Sequence, residues 1–241
     1  MRSLFGIVAA TTLSLGIASP LLAQSPAANE AAPQFTLASV ELEAAKGQAD
    51  AISTLGWMYE TGKGVGKDIA KAASLYRSAI AQGDSFGQWR MGIMIDEGAA
   101  RGTGAQAVAL FRQAAAQKSP GATASLGVMY ATGRGVERDY DAAMRYYQAA
   151  ARLGSAHGVE GIGVLYANGQ GVERNMNEAL AHWMAAASAG DSDAMALLMQ
   201  HMPGSETPEA ASIYDRAAAI ADFYGIADAG KDKGADVTLK N

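Results

Sequence analysis

The chain of 241 residues contains no cysteine. This absence excludes disulfide bonds and a lipid-modified N-terminal cysteine. Histidine is also scarce: there are three, and none stands at the spacing of a metal site or a catalytic triad. We therefore expect no metal and no cofactor, and we expect packing alone to stabilise the fold.

The chain also lacks a concentration of positive charge. It has 19 Lys and Arg against 24 Asp and Glu, a formal net charge of −5, and its basic residues are dispersed. A nucleic-acid-binding protein usually presents a basic face, so no nucleic-acid partner is expected. Apolar residues make up 49% of the chain, which is enough to form a core.

A long uninterrupted apolar run is missing too. The N-terminal segment MRSLFGIVAATTLSLGIASPLLAQ has one basic residue, then an apolar stretch, then small residues, which is the pattern of a secretory signal. Thr11, Ser14 and Pro20 interrupt it, whereas a membrane anchor needs about 20 apolar residues in a row. We predict a signal peptide over residues 1–23, cleaved after Ala23, no membrane span after its removal, and a periplasmic or secreted mature chain.

Beyond the signal, residues 24–36 have the Pro- and Ala-rich composition of a flexible leader, and residues 225–241 form a polar tail. The sequence between them, 37–224, is periodic. Glycines, helix-capping residues and aromatics each recur there at spacings of 35 or 36. The three sets are Gly56, Gly92, Gly127, Gly163; Asp68, Thr103, Asp139, Asn175; and Tyr76, Phe111, Tyr147, Trp183. Periods of this length indicate stacked structural repeats.

Each repeat is predicted to be a pair of helices. The first ends at a glycine able to take the left-handed conformation, and the second begins at a capping residue. Small residues such as Gly56 are expected to let the helices approach, with aromatics such as Tyr76 filling the space that remains. A row of four apolar residues is expected to lie in the core. The row is Met58, Met94, Met129 and Leu165.

The glycine-spaced run GKGVGK, Gly62 to Lys67, is similar in composition to a phosphate-binding loop. Such a loop follows a strand and begins a helix whose amide groups face the ligand. Here the glycines follow an amphipathic helix and join it to another. Gly62, Gly64 and their equivalents in later repeats are therefore predicted to be turn residues, and no nucleotide site is expected.

These units resemble the Sel-like repeat family, short helical hairpins related to tetratricopeptide repeats. The shared pattern is A-x-x-x-L-G-x-x-Y-x-x-G-x-G-V-x-x-D, followed by K-A and an aromatic pair. Repeat 2 departs from it, with Ile95 in place of the tyrosine and GAARG in place of the G-x-G-V turn. The repeats run over 49–84, 85–119, 120–155 and 156–191, with a degenerate unit over 192–222 and a lone second helix near 36–46.

The resemblance implies an all-α fold, a right-handed α-solenoid of stacked antiparallel helical hairpins with about four full units and degenerate caps. It also implies a curved surface that binds proteins. We expect a non-catalytic periplasmic scaffold or adaptor that regulates an envelope sensor or supports cell-wall or exopolysaccharide assembly. Its partner would be an envelope or periplasmic protein, and its oligomeric state stays open. Two alternatives also stay open: glycan or peptidoglycan binding through Trp57 and Trp89, and hydrolysis of cell-wall material.

The repeats carry no evident set of catalytic residues. The motifs H-E-x-x-H and S-x-x-K are absent. His157, His182 and His201 stand apart from one another, without the nucleophile and orienting group that a catalytic base needs. Asp191 and Asp193 lack the glycine and distal glutamate of a calcium loop. We predict that the chain is not an enzyme.

Candidate partner-binding residues are those that break the chain's own repeat consensus on the first helices. Trp89 and Arg90 stand in repeat 2 where other repeats mostly have small or uncharged residues. The full set is Trp57, Glu60, Trp89, Arg90, Asp96 and Glu160. Trp and Arg often anchor interfaces, but tryptophans are also common in cores. Trp89 is therefore either an exposed anchor or a filler of space beside the shortened repeat 2.

Overall fold

The computed structural model describes residues 36–201 and 208–226. The predicted signal peptide, the leader up to residue 35 and the tail from residue 227 lie outside these ranges, and so do Pro203 and Gly204, a predicted loop of the degenerate unit.

Within the described residues the chain forms eleven α-helices and no strands, which confirms the all-α prediction. The helices are α1 (Leu37–Ala45), α2 (Ala49–Thr61), α3 (Ile69–Ile80), α4 (Ser85–Asp96), α5 (Gly104–Ala116), α6 (Pro120–Thr132), α7 (Tyr140–Arg152), α8 (Ala156–Asn168), α9 (Met176–Ser188), α10 (Ser192–His201) and α11 (Pro208–Tyr224).

Four hairpins stack in chain order to form a helical-repeat solenoid. Each first helix packs along the second helix that follows it, as α2–α3, α4–α5, α6–α7 and α8–α9. Each second helix also packs on the next first helix, and successive first helices contact one another directly. The helices α2, α4, α6 and α8 therefore share one surface, which we call the first-helix surface.

The two ends depart from this scheme. Helix α1 packs on α2, as the second helix of a preceding unit would, and Thr36 and Ser39 form a capping box at its start. At the other end α11 packs mainly on α9 rather than on α10. The last two helices therefore do not form a regular hairpin.

The predicted capping residues are confirmed at the starts of the second helices α3, α5, α7 and α9. Each has an extended backbone, and its side chain accepts a hydrogen bond from the backbone N–H three residues later. The four residues are Asp68, Thr103, Asp139 and Asn175. Each bond satisfies one of the amides that has no partner within its helix.

The glycines of the first helices lie against aromatic rings of the second helices, as predicted. A Cβ atom on Gly127 would lie 2.5 Å from the ring of Tyr147, a separation at which atoms overlap. The equivalent pairs are Gly56 with Tyr76, Gly92 with Phe111, and Gly163 with Trp183. The repeat period thus reflects one glycine–aromatic contact in each hairpin.

The predicted turn role of the G-x-G glycines is also confirmed. Gly133 ends α6 with a φ of 74° and Gly135 has a φ of 71°, both in the left-handed region that favours glycine. Gly135 also touches the backbone of Gly104 at the start of α5, where a Cβ atom on Gly104 would lie 2.9 Å from the Cα of Gly135. The turn therefore connects α6 to α7 and also packs against α5 of the preceding repeat.

The core consists of apolar clusters that run along the array. The predicted row of core residues is buried throughout, with 6% or less of each residue exposed. These residues are Met58, Met94, Met129 and Leu165. They therefore contribute to packing between helices rather than to an exposed binding surface.

Candidate protein-binding surface

A row of half-buried apolar side chains crosses the first-helix surface. Each repeat contributes the residue that follows its helix-centre glycine. The row consists of Trp57, Ile93, Val128 and Val164, and we call it the apolar row. Because successive first helices contact one another, these side chains recur along a single surface at one residue per repeat.

A polar network joins repeats 1 and 2 beside this row. The Arg90 guanidinium donates two hydrogen bonds to the Glu60 carboxylate, 2.6 Å from Nη2 to Oε1 and 3.1 Å from Nε to Oε2. The Tyr76 hydroxyl donates to the same Oε2 at 2.6 Å. Burial and the hydrogen bond to Glu60 raise the pKa of Tyr76 above its ordinary value. The network is mostly shielded from water, so it fixes two first helices relative to each other.

Trp89 is half-buried between repeats 2 and 3. Its indole N–H donates to the Ser125 hydroxyl at 3.2 Å, and a Cβ atom on Gly121 would lie 2.5 Å from its ring. Phe86 packs edge-on against it with the ring centroids 5.9 Å apart, and the Arg90 guanidinium lies 5.5 Å from the ring centroid. Trp89 therefore fills space beside Gly121 and still leaves part of its ring accessible.

The remaining candidates in repeats 1 and 2 also have partners within the chain. Asp96 forms an ion pair of 3.1 Å with Arg134, whose side chain is about half exposed. Trp57 is half-buried, and the ammonium group of Lys63 lies 5.0 Å from its ring centroid. Both contacts lie on or beside the first-helix surface and remain open to solvent on one side.

Glu160 lies apart from these residues, on α8, and only 8% of it is exposed. Burial, followed by the negative charges of Asp191 and Asp193, raises its pKa to about 7. The Nδ1 of His157 lies 3.4 Å from the Oε2 of Glu160. The structure therefore groups Glu60 with Arg90, and places Glu160 in a different cluster at the far end of the array.

The partners of the candidates were not identified from the sequence. Tyr76, Ser125 and Arg134 are 16, 36 and 38 residues from the side chains that they contact. The sequence does hold one indication of these contacts. Glu60, Arg90 and Asp96 are charged residues on first helices, where charge is unusual in this chain, and a half-buried charge requires a partner.

His182 is buried on α9, and its Nδ1 lies 2.8 Å from the carbonyl oxygen of Glu178. Burial lowers its pKa from the ordinary value. Its ring packs at a tilt against Tyr166, with centroids 5.6 Å apart. His182 is therefore packed between helices. Among the described residues, no nucleophilic side chain is hydrogen-bonded to it.

Residues 83–87 read GDSFG and so match the G-x-S-x-G pattern of serine hydrolases. In those enzymes the serine stands on a sharp turn from a strand to a helix. Here Ser85 is the first residue of α4 in a connection between two helices, and Asp84 accepts a hydrogen bond of 2.6 Å from the backbone of Gly87 as the cap of that helix. This match is therefore explained by helix capping.

Comparison with known families gives a direct assignment. The family model described as the Sel1 repeat matches residues 49–84, 85–119, 120–155 and 160–191. The chain belongs to the Sel1 repeat family. Sel1 repeat proteins are generally non-catalytic scaffolds that mediate protein interactions. No curated protein sequence matches the chain.

Several solved structures are similar to this Sel1 repeat protein. One is a Sel1 repeat protein from Oxalobacter formigenes, with 32% identity over 73% of this chain and 74% of that one, and a TM-score of 0.59. Another is c5321, described as a protective antigen of uropathogenic Escherichia coli with an SLR fold, with 29% identity over 85% of this chain and 46% of that one, and a TM-score of 0.56.

A third similar structure is described as the immunity protein Pa5087 from Pseudomonas aeruginosa, with 25% identity over 79% of this chain and 72% of that one, and a TM-score of 0.54. This chain spans less than half of the E. coli protein. Among the described helices, none is both long and apolar enough to cross a bilayer.

Proposed function

We propose that this Sel1 repeat protein is a non-catalytic scaffold of the periplasm, or of the secreted fraction, that binds a protein of the envelope through its first-helix surface. The apolar row is the observation that carries this proposal. Half-buried apolar side chains that recur along one surface provide area that a partner can cover, and interfaces of this kind are richest in aromatic and Arg contacts.

The charged candidates define the borders of this surface. Glu60 and Arg90 are already paired and mostly shielded from water, so they hold two first helices in place beside the apolar row and do not offer free charges. Asp96 and its half-exposed partner Arg134 form a second pair, between repeats 2 and 3, which a partner can reach. Trp57 and Trp89 supply the aromatic area at one end of the row, and Glu160 lies near the other end on α8.

The proposed location rests on the N-terminal sequence, which has the pattern of a secretory signal. Mass analysis of the N-terminus of the protein purified from cells should give a chain that begins at or near Gln24. A chain that retains Met1 would refute both signal cleavage and the proposed compartment.

The binding function is tested by capture from envelope extract with a matched pair of variants. Val128→Lys places a charge in the centre of the apolar row, whereas Gln113→Lys places the same residue at an exposed position of the second helix α5. Wild type and Gln113→Lys should each retain a protein partner at a fixed stoichiometry, and Val128→Lys should lose it while keeping its helical circular dichroism.

Other results would support different functions. If purified peptidoglycan or polysaccharide is retained in the absence of any protein, the chain binds glycan. Turnover of cell-wall material that persists in a homogeneous preparation would contradict the non-catalytic proposal. Equal loss of the partner from both Lys variants would place the binding surface elsewhere.

A further inference from the structure

A group of metal-ligating side chains lies where repeat 4 meets the terminal helices. His157 stands in the first turn of α8, and Asp191 and Asp193 flank the start of α10. One donor atom from each lies within 4.8 Å of the other two. The three residues are up to 36 positions apart in the sequence, and the stacking of α8 against α10 brings them together.

Glu160 supplies a separate observation at the same place. Only 8% of the residue and 11% of its side chain are exposed. Its Oε2 is directed at the group, 3.4 Å from the Nδ1 of His157. A buried carboxylate is costly unless a cation compensates it. No described Lys or Arg forms an ion pair with Glu160, and the imidazole of His157 carries a positive charge only when it is protonated.

The spacing of these atoms is close to that of ligands around one ion. Two ligands held about 2.1 Å from a zinc ion at the tetrahedral angle are about 3.4 Å apart. His157 Nδ1 lies 3.4 Å from Glu160 Oε2 and 3.9 Å from Asp191 Oδ2. The other oxygen of Asp191 caps α10 by accepting from the backbone of Ala194 at 2.9 Å, so Oδ2 is left for a ligand.

We propose that His157, Glu160, Asp191 and Asp193 bind a divalent transition-metal ion, with Zn²⁺ as the representative. Three carboxylates and one imidazole form a mixed oxygen and nitrogen set, and the imidazole favours zinc-like ions over Ca²⁺ and Mg²⁺, which prefer oxygen ligands alone. The ion would join α8 to α10 and neutralise the acidic end of the first-helix surface. The site does not require the proposed partner binding, although Glu160 also lies near one end of the apolar row.

Calorimetric titration of the full chain, after treatment with a chelator, tests this site with Zn²⁺ as the probe and Ca²⁺ in parallel. Wild type should bind one Zn²⁺ per chain, and more tightly than it binds Ca²⁺. His157→Gln and Glu160→Gln should each weaken Zn²⁺ binding by about tenfold or more. Asp191→Asn should do the same while keeping the helix cap, because Asn caps helices about as well as Asp.

The matched control is His201→Gln, which removes an exposed histidine outside the group and should leave Zn²⁺ affinity unchanged. A second measurement covers any variant that folds poorly: at one fixed concentration Zn²⁺ should raise the melting temperature of wild type and of His201→Gln, and should raise that of His157→Gln by less. Binding that does not saturate, or that is equal in His157→Gln and wild type, would overturn the proposal.

Discussion

At the scale of single residues, the contact between a glycine and an aromatic ring explains most of the repeat pattern. The first helix can approach the second only where it has no Cβ atom, and the ring of the second helix fills the remaining space. Interiors this dense tolerate neither a cavity nor an added methyl group without cost.

Gly127→Ala should therefore destabilise the protein by about 1–3 kcal/mol, because its methyl group would overlap the ring of Tyr147. Gly66→Ala is the matched control, since Gly66 has open space around its Cβ position and no positive φ. That control should be neutral or stabilising by up to about 1 kcal/mol. Chemical denaturation measures both, and equal effects would contradict the packed role of Gly127.

The ion pairs of the first-helix surface differ in burial, and their contributions to stability should differ accordingly. Arg90→Ala leaves the mostly buried Glu60 without its cation and should cost about 1–3 kcal/mol. Arg134→Ala breaks the more exposed pair with Asp96 and should cost less than about 1 kcal/mol. Denaturation midpoints at low and high salt provide the test, and the reverse order would show that the Glu60 network is not structural.

The local part of this structure was predictable from the sequence, whereas the contacts between repeats were not. Helix caps such as Asp139, and the rings that face the helix glycines, belong to a pattern that recurs every 35 or 36 residues, so each one can be predicted from the others. The bond between Arg90 and Glu60 depends instead on the rotation of one first helix against another. The grouping of His157 with Asp191 depends on the stacking of α8 and α10 in the same way.

At the scale of elements, the helices of one hairpin are stabilised by their neighbours in the stack. Helix α9 is an example, since it packs against α8 on one side and against α10 and α11 on the other. Its residue His182 occupies a position that holds Leu75 in repeat 1 and Leu110 in repeat 2. The packing of α11 on α9 was not predicted, because residues 192–222 were predicted only as a degenerate unit.

The buried His182 should make this end of the protein sensitive to acid. Burial lowers its folded-state pKa, so the unfolded chain takes up the proton first as the pH falls below about 6.5. Native stability should therefore decrease as the pH falls through this window. Glu178, Arg216 and Tyr166 are the titratable or charged groups beside the ring.

His182→Leu restores the residue of repeats 1 and 2 and removes this proton linkage. The difference in unfolding free energy between wild type and variant should therefore change between pH 7.5 and 5.5, with wild type losing more stability on acidification. Denaturation in the presence of a chelator keeps the metal site out of the comparison. A difference that is constant across these pH values would contradict the lowered pKa.

At the scale of the molecule, the described repeats form one array whose first helices share a surface. Sel1 repeats generally serve as scaffolds for protein interactions, and the apolar row with its bordering ion pairs is the surface that we propose for that role. Trp89 packs within the scaffold and is also a proposed contact for the partner, so a variant at this residue needs a matched control.

The affinity of the captured partner for Trp89→Ala is the most direct test of the binding surface. Removing a half-buried ring should lower stability, so Ile80→Ala is the control: Ile80 is also half-buried but lies on the second helix α3. Both variants should melt at lower temperatures than wild type. Trp89→Ala alone should weaken binding of the folded protein by about 2 kcal/mol or more, the scale of an interface anchor. If both variants bind as wild type does once the folded fraction is taken into account, the first-helix surface at Trp89 is not the binding site.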